Sequence, residues 1–269
     1  MSIGDAEIKT QERVIRFFKD PEILGYHYIG NLSDYQNKNI KEDRLRQYLR
    51  LKGYADKLID AAIMQLQQEA GNLSRGVYDA NKTVYSRLKY GIPVSESPEK
   101  PPVTVQLVDE EKPLNNDFAI AEEVTVVEQS EKRPDLVVYL NGIVVAVIEL
   151  KRSSISVSEG IRQNLTNQKN LFIQSFFTTM QFCMAGNESE GLRYGTLLTG
   201  EKFYMEWKDD GFKEHEEERD AVDVRINKTC EGIENKLLKQ IYAMFDKERF
   251  IDLIMNFVVF DKGIKKVCR

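Results

Sequence analysis

Apolar side chains recur at near-helical spacing over residues 7–19 (EIKTQERVIRFFK), where Ile8, Val14, Ile15 and Phe18 share one side. The spacing predicts a helix that ends before Pro21, because a residue ahead of proline is pushed out of helical geometry. Residues 38–70 carry a second helical pattern, with Leu45, Leu49, Leu58, Ile59, Ile63 and Leu66 as its stripe, and residues 78–90 a third. IPVSESPEKPP (92–102) is Pro- and Ser-rich and reads as a connection. The period then changes. Val103–Val108 alternates, Phe118–Val127 reads as a strand, and residues 135–151 read as two apolar strands joined at Asn141-Gly142. Ser156 with Glu159 three residues on is a capping-box signature and predicts a helix over 157–171. Residues 184–193 (MAGNESEGLR) read as a loop, and 192–198 and 201–207 as strands split at Thr199-Gly200. The acidic run 213–220 (KEHEEERD) reads as a solvated segment. From about residue 226 the pattern is helical again, with apolar runs at 237–245 and 250–260. This order predicts an α/β fold: a mixed central sheet flanked by helices, with a helical insertion before the sheet (38–91) and a helical tail after it (226–269).

The second strand of the apolar pair ends on ionisable groups. With regular alternation, Val145, Val147, Glu149 and Lys151 share one face, and Val144, Ala146, Ile148 and Leu150 the other. Apolar residues on both faces predict a central, doubly covered strand. Glu149 and Lys151 at its end then need a partner, and Asp135 is the candidate. A plain two-residue turn at Asn141-Gly142 pairs Leu140 with Ile143, hence Asp135 with Ile148, on the wrong face. Two geometries avoid this. A three-residue loop, Leu140–Gly142 with Gly142 left-handed, sets Asp135 against Val147. Alternatively, Asp135 lies outside the regular pleat after Pro134. Either one gathers two carboxylates and an ammonium at a strand end. Such hard oxygen ligands suit Mg²⁺, with Asp135, Glu149 and the Leu150 carbonyl as ligands and Lys151 facing the charge that develops on a phosphate.

Composition narrows the class. The chain has 269 residues, 42% hydrophobic and 30% charged, which suits a soluble globular protein with a sizeable core. No apolar run approaches the ~20 residues needed to span a bilayer, and MSIGDAEIKTQERV has no signal-peptide core. Cys183, Cys230 and Cys268 are odd in number and scattered, which predicts no disulfide framework, no zinc site and a cytoplasmic location. His27 and His215 have no second ligand nearby in sequence. The net charge of −5 argues against an indiscriminate nucleic-acid binder but not against a nuclease, whose acids cluster locally. Lys38, Lys41, Arg44, Arg46, Arg50 and Lys52 are interleaved with Glu42 and Asp43 and read as a solvated helix face.

Pro134-Asp135, followed by Glu149-x-Lys151 14 residues after the Asp, resembles the PD-(D/E)xK nuclease motif. RPDLVVYLNGIVVAVIELKRSS (133–154) is similar to the restriction (R) subunit of type I restriction–modification enzymes. So are TQERVIRFF (10–18), MAGNESEGLRYGTL (184–197) and DKERFIDLIMNFVVFDKGIKKVCR (246–269), so the resemblance spans nearly the whole chain. It implies a restriction-endonuclease-like fold, with a nuclease domain over 1–225 and a helical connector over 226–269 leading toward an ATP-dependent motor. It implies a type I deoxyribonuclease that cuts double-stranded DNA with Mg²⁺ (Mn²⁺ able to substitute), using Asp135, Glu149 and Lys151, with methyltransferase and specificity subunits as partners and no membrane. ATP is expected only for the full-length subunit, since this chain has no P-loop and no Gly-Lys dipeptide. The family's Q-x-x-x-Y element matches at Gln163, whereas Asn167 stands where the family has Tyr. A helix would put Gln163, Asn167 and Asn170 on one face. Glu7 on the first helix and Arg152 are further supporting or DNA-contacting candidates. The alternative function is a non-catalytic module that docks the motor to its partners.

Overall fold

The computed structural model describes residues 3–97, 99–208 and 221–268; the acidic run 213–220 and His215 lie outside the described residues. In chain order the elements begin with α1 (Ile3–Lys19), β1 (His27–Asn31), α2 (Glu42–Leu51), α3 (Asp56–Gly71) and α4 (Val77–Tyr90). Next come β2 (Ile92–Val94), β3 (Val103–Val105), β4 (Phe118–Glu122), β5 (Val126–Val127), β6 (Glu131–Lys132), β7 (Leu136–Leu140) and β8 (Ile143–Leu150). They are followed by α5 (Val157–Asn167), β9 (Phe182–Asn187), β10 (Gly191–Gly195), α6 (Ala221–Glu231), α7 (Lys236–Phe245) and α8 (Lys247–Asp252). The last two are β11 (Val258–Asp261) and β12 (Ile264–Val267).

Six strands form one mixed sheet in the order β1-β4-β7-β8-β9-β10, with β1–β4 and β8–β9 parallel and the remaining pairs antiparallel. The chain thus has the α/β, mixed-sheet architecture that its pattern predicts, consistent with the restriction-endonuclease-like fold that the resemblance implies. All eight residues of β8 are buried, as a central strand requires. One face packs on α1, the 42–90 helices and the C-terminal helices, through Phe18, Leu49, Ile59, Ile241, Phe245 and Ile254. The other packs on α5 and the segment before β9, through Val157, Ile161, Phe176 and Phe177. Among the described residues, no helix is long and apolar enough to cross a membrane.

Several boundaries differ from the sequence reading. The 38–70 pattern is two helices, α2 and α3, because Gly53 turns the chain at φ +86. Only Val103–Val105 is strand in the alternating run, and it pairs with β2 in a separate ribbon. Phe118–Val127 breaks after Glu122, where Glu123 adopts φ +50. The helix over 157–171 stops at Asn167, so Asn170 lies beyond it. Ser156 caps α5 by accepting from the Ser158 amide at 3.3 Å, while the Glu159 carboxylate turns to Arg162 instead of closing the box. The loop read over 184–193 is largely the β9–β10 hairpin. Its strand β9 holds small residues at Ala185 and Gly186, which blunt the apolar signal. The strand read over 201–207 is a short 3-10 turn, Glu201–Phe203, and a single bridge between Tyr194 and Met205. The tail is not helical throughout. After a π-helical stretch at Leu253–Phe257 it forms the β11–β12 hairpin, turned by Lys262 (φ +46) and Gly263 (φ +82).

Candidate active site

β7 and β8 are joined by the two-residue turn, not the three-residue loop. Asn141 (φ +52) and Gly142 (φ +81) both sit in left-handed geometry and pair Leu140 with Ile143. The Asn141 side chain anchors the turn, donating to the Leu107 carbonyl and Asn116 Oδ1 at 2.8 Å each and accepting from the Asp117 amide at 2.7 Å. The register is corrected within β8. Tyr139 pairs with Val144 but Val138 with Ala146, so Val145 is a supernumerary, bulged residue. Beyond it Val137 faces Val147 and Leu136 faces Ile148. Asp135, just ahead of β7, meets the end of β8 through its side chain, which accepts from the Leu150 amide, and lies close enough to Glu149 to act on its charge.

The bulge also re-sorts the faces. Val145 and Ala146 both pack in the layer of α1 and the C-terminal helices, with Ile148 and Leu150. Val144 and Val147 pack in the α5 layer. Val145 therefore does not share a face with Val147, contrary to the regular alternation. Asp135 and Glu149 follow Val137 and Val147 toward α5.

Four elements converge here. Asp135 Oδ2 accepts from the Leu150 amide at 2.7 Å, and the Asp135 carbonyl accepts from the Glu123 amide at 2.9 Å. Lys151 Nζ lies 3.9 Å from Asp135 Oδ2 and 3.3 Å from Glu7 Oε1 on α1. The Lys151 amide donates to the Gly186 carbonyl at 2.9 Å, which ties it to β9. Gln163 on α5 donates to Glu149 Oε2 at 2.7 Å. Gly160 lets α5 come this close: a Cβ there would lie 2.9 Å from the Ala185 Cβ and 3.3 Å from the Glu149 Cβ.

The electrostatics are tense. Glu149 is fully buried, and its Oε1 has no hydrogen-bond donor. Burial, then the neighbouring Asp135 charge, pushes the Glu149 carboxyl well above the usual carboxylate range. Burial likewise pushes Asp135 up to about 6, against the opposing pull of Lys151 and the Leu150 amide. For Lys151 burial pulls downward, but Asp135, Glu149 and Glu7 outweigh it and hold the ammonium above its ordinary value. The two acids are shifted in the same direction and titrate as a pair. A buried, donor-less carboxylate oxygen beside a second carboxylate is a donor set that fits a hard divalent cation. Among the described residues, no three His, Cys, Asp or Glu side chains gather to hold a metal, so backbone oxygen, water or substrate would have to complete such a shell.

The fold thus brings Asp135, Glu149, Lys151, Gln163 and Glu7 together. Asn167 is buried at the end of α5, and its carbonyl accepts from the Ile173 amide at 3.2 Å. Leu150 turns its side chain into the opposite core layer and offers only backbone. Arg152 sits in the turn after β8, its carbonyl accepting from Ile155 at 2.9 Å. Arg193 bonds the Glu190 carbonyl and pairs with Glu206, and Asn187 bonds the Ile155 carbonyl, so both serve the local frame. His27 and Arg44 both engage Asp117. The sequence reading missed Gln11, Glu122 and Glu123. Gln11 Nε2 bridges Glu122 Oε2 at 3.0 Å and Glu123 Oε1 at 3.1 Å, and Glu123 pairs with Arg133 at 2.9 Å. Two adjacent acids ending a strand, ahead of Arg-Pro-Asp, were the available signal. A cleft of about 390 Å³ opens beside the site, lined among others by Lys132, Arg133, Lys151, Arg162, Gln163 and Asn167.

A model of the family described as type I restriction enzyme R protein N terminus matches residues 7–203. Among curated proteins, one from Methanocaldococcus jannaschii carries the name of a type I restriction enzyme MjaIXP endonuclease subunit. It is 26% identical over 196 residues, which cover 67% of this chain and 18% of that protein. The matched region therefore spans less than a fifth of the relative's length.

Proposed function

The chain belongs to the family of type I restriction enzyme R protein N termini, and on that premise we propose that its cleft is a magnesium-dependent centre hydrolysing phosphodiester bonds in double-stranded DNA. The observation that carries this reading is the close approach of Asp135 to Glu149 beyond the bulge, with a buried carboxylate oxygen left without a donor beside a cationic cleft. Asp135, Glu149 and the Leu150 carbonyl would hold the cation. When bound, it supplies polarisation of a phosphoryl oxygen and raises the acidity of a nearby water.

The chain's own residues do the positioning. The Leu150 amide fixes one oxygen of Asp135, and Gln163 fixes one oxygen of Glu149, which would leave the second oxygen of each carboxylate for the cation. Lys151, braced by Glu7, balances the negative charge that grows on the phosphate as its bond to the leaving oxygen breaks. In the complete protein we assign sequence recognition and methylation to partner subunits and ATP use to a motor beyond this region.

Two measurements test this. Calorimetric titration with Mg²⁺ or Mn²⁺ should give binding to the wild-type chain that Asp135→Asn and Glu149→Gln abolish. In the assembled restriction complex, Asp135→Ala should remove DNA cleavage by at least about a hundredfold while leaving assembly intact. Cleavage that survives Asp135→Ala would remove the assignment and leave a docking role.

A further inference from the structure

The cations of the cleft are all engaged internally. Lys151 pairs with Glu7 and Asp135, Arg133 with Glu123, and Lys132 lies 4.7 Å over the Phe172 ring. Arg162 is held most fully. Its Nε and Nη2 each reach an oxygen of Glu201 at 3.0 Å, and its Nη1 reaches Glu159 at 2.6 Å.

These partners differ in what else they do. Glu7 braces the lysine of the site. Glu123 gives its amide to the Asp135 carbonyl, so it belongs to the frame that places that acid. Glu201 stands on the separate turn Glu201–Phe203, outside that frame. Its two oxygens meet the guanidinium in the fork geometry that a phosphate would occupy. The pair is also open to solvent, with 54% of the Arg162 side chain and 38% of the Glu201 side chain exposed. Exposed pairs of this kind are held weakly and exchange partners readily. Arg162 directly precedes Gln163, which touches Glu149, and it lines the cleft together with Arg133 and Lys151.

We propose that Arg162 is a DNA-phosphate contact masked by Glu201, so that the duplex enters by replacing the Glu201 carboxylate with a backbone phosphate. This rests on the reading that the cleft takes DNA. Arg162 then joins Arg133 and Lys151, which line the same cleft, in gripping the strand. Glu201 keeps the cleft from gathering other anions while it is empty.

The test is binding of a fluorescently labelled duplex of about 20 base pairs, in EDTA so that no cleavage intervenes, followed by anisotropy over a range of salt concentrations. Arg162→Gln should weaken binding and reduce the slope of log Kd against log salt by about one. Glu201→Gln should tighten binding by about two- to fivefold at low salt, the loss of a weak competitor. In the Arg162→Gln background, Glu201→Gln should have almost no effect. An equal gain in that background would mean bulk charge removal and would overturn the masking. Wild-type binding that Arg162→Gln leaves unchanged in strength and slope would overturn this proposal alone. Absence of any duplex binding by the wild-type chain would overturn it together with the nuclease reading.

Discussion

Glu149 is where the chain concentrates unfavourable charge. Both members of the Asp135–Glu149 pair have folded-state pKa values raised above the ordinary carboxylate range. The folded protein therefore holds protons that the unfolded chain has already released. Stability from this source is present below the ordinary carboxylate pKa and is lost as pH rises through the elevated values, which for Asp135 means about 6. Metal-free Glu149→Gln should be more stable than wild type at pH 7 and close to it at pH 4. Thermal unfolding in EDTA across that range checks it, and parallel curves for the two proteins would refute it. Added Mg²⁺ should close the gap by stabilising wild type only. The motif acids and Lys151 are legible in the sequence because their chemistry is written in the residue types and spacing. Gln11 and Glu123 are not, since their part depends on a left-handed backbone at position 123 and on contacts between distant segments.

At the scale of elements, the site depends on how closely α5 lies against β8 and β9. Gly160 sets that separation, because any Cβ there collides with Ala185 and crowds Glu149. Gly160→Ala should lift the helix, cost about 1–3 kcal/mol of stability, and loosen the Gln163–Glu149 hydrogen bond. Metal affinity should then fall more than stability alone explains, and calorimetry beside chemical denaturation would separate the two. Unchanged metal affinity would show that helix position is not limiting. The apolar pattern over 135–151 reveals both strands and their turn, because β-branched runs around Asn-Gly have few other solutions. The bulge was illegible. Val145 differs in no chemical way from Val144 or Val147, and what singles it out is that it packs in the opposite core layer from both.

Across the whole molecule, the C-terminal hairpin is tied to the back of the sheet by a buried cation. Lys265 is 1% exposed, and its Nζ donates to Asn81 Oδ1 at 2.8 Å and to the Met180 carbonyl and Gln181 Oε1 at 2.7 Å each. Burial pulls its pKa well below the ordinary lysine value, and three acceptors with the Tyr85 and Phe260 rings offset part of that penalty. Gln181 in turn donates its amide to the carbonyl of Val145, the bulged residue. Lys265→Met leaves three acceptors without their donor and should lower stability by about 3 kcal/mol. Hydrogen exchange should quicken over 258–267 and at 180–182 before it does in β7 and β8. Unaltered exchange in the hairpin would show that other contacts hold it. This part of the chain misled the sequence reading because an apolar run such as FIDLIMNFVVF suits a helix or a strand equally. The outcome was decided by Lys262-Gly263 turning back and by the lysine finding its socket.

The extra residue at Val145 makes the meeting of the two acids a matter of odd and even. Their separation of 14 positions is even, so an odd number of residues between them must go unpaired, and the two in the turn plus the one in the bulge satisfy that count. A relative that sheds the bulged residue itself keeps the partnership, because the separation becomes odd and the two turn residues alone satisfy the count. A single-residue gap that leaves the bulge in place should instead part the two acids unless a second change in the ribbon restores the count.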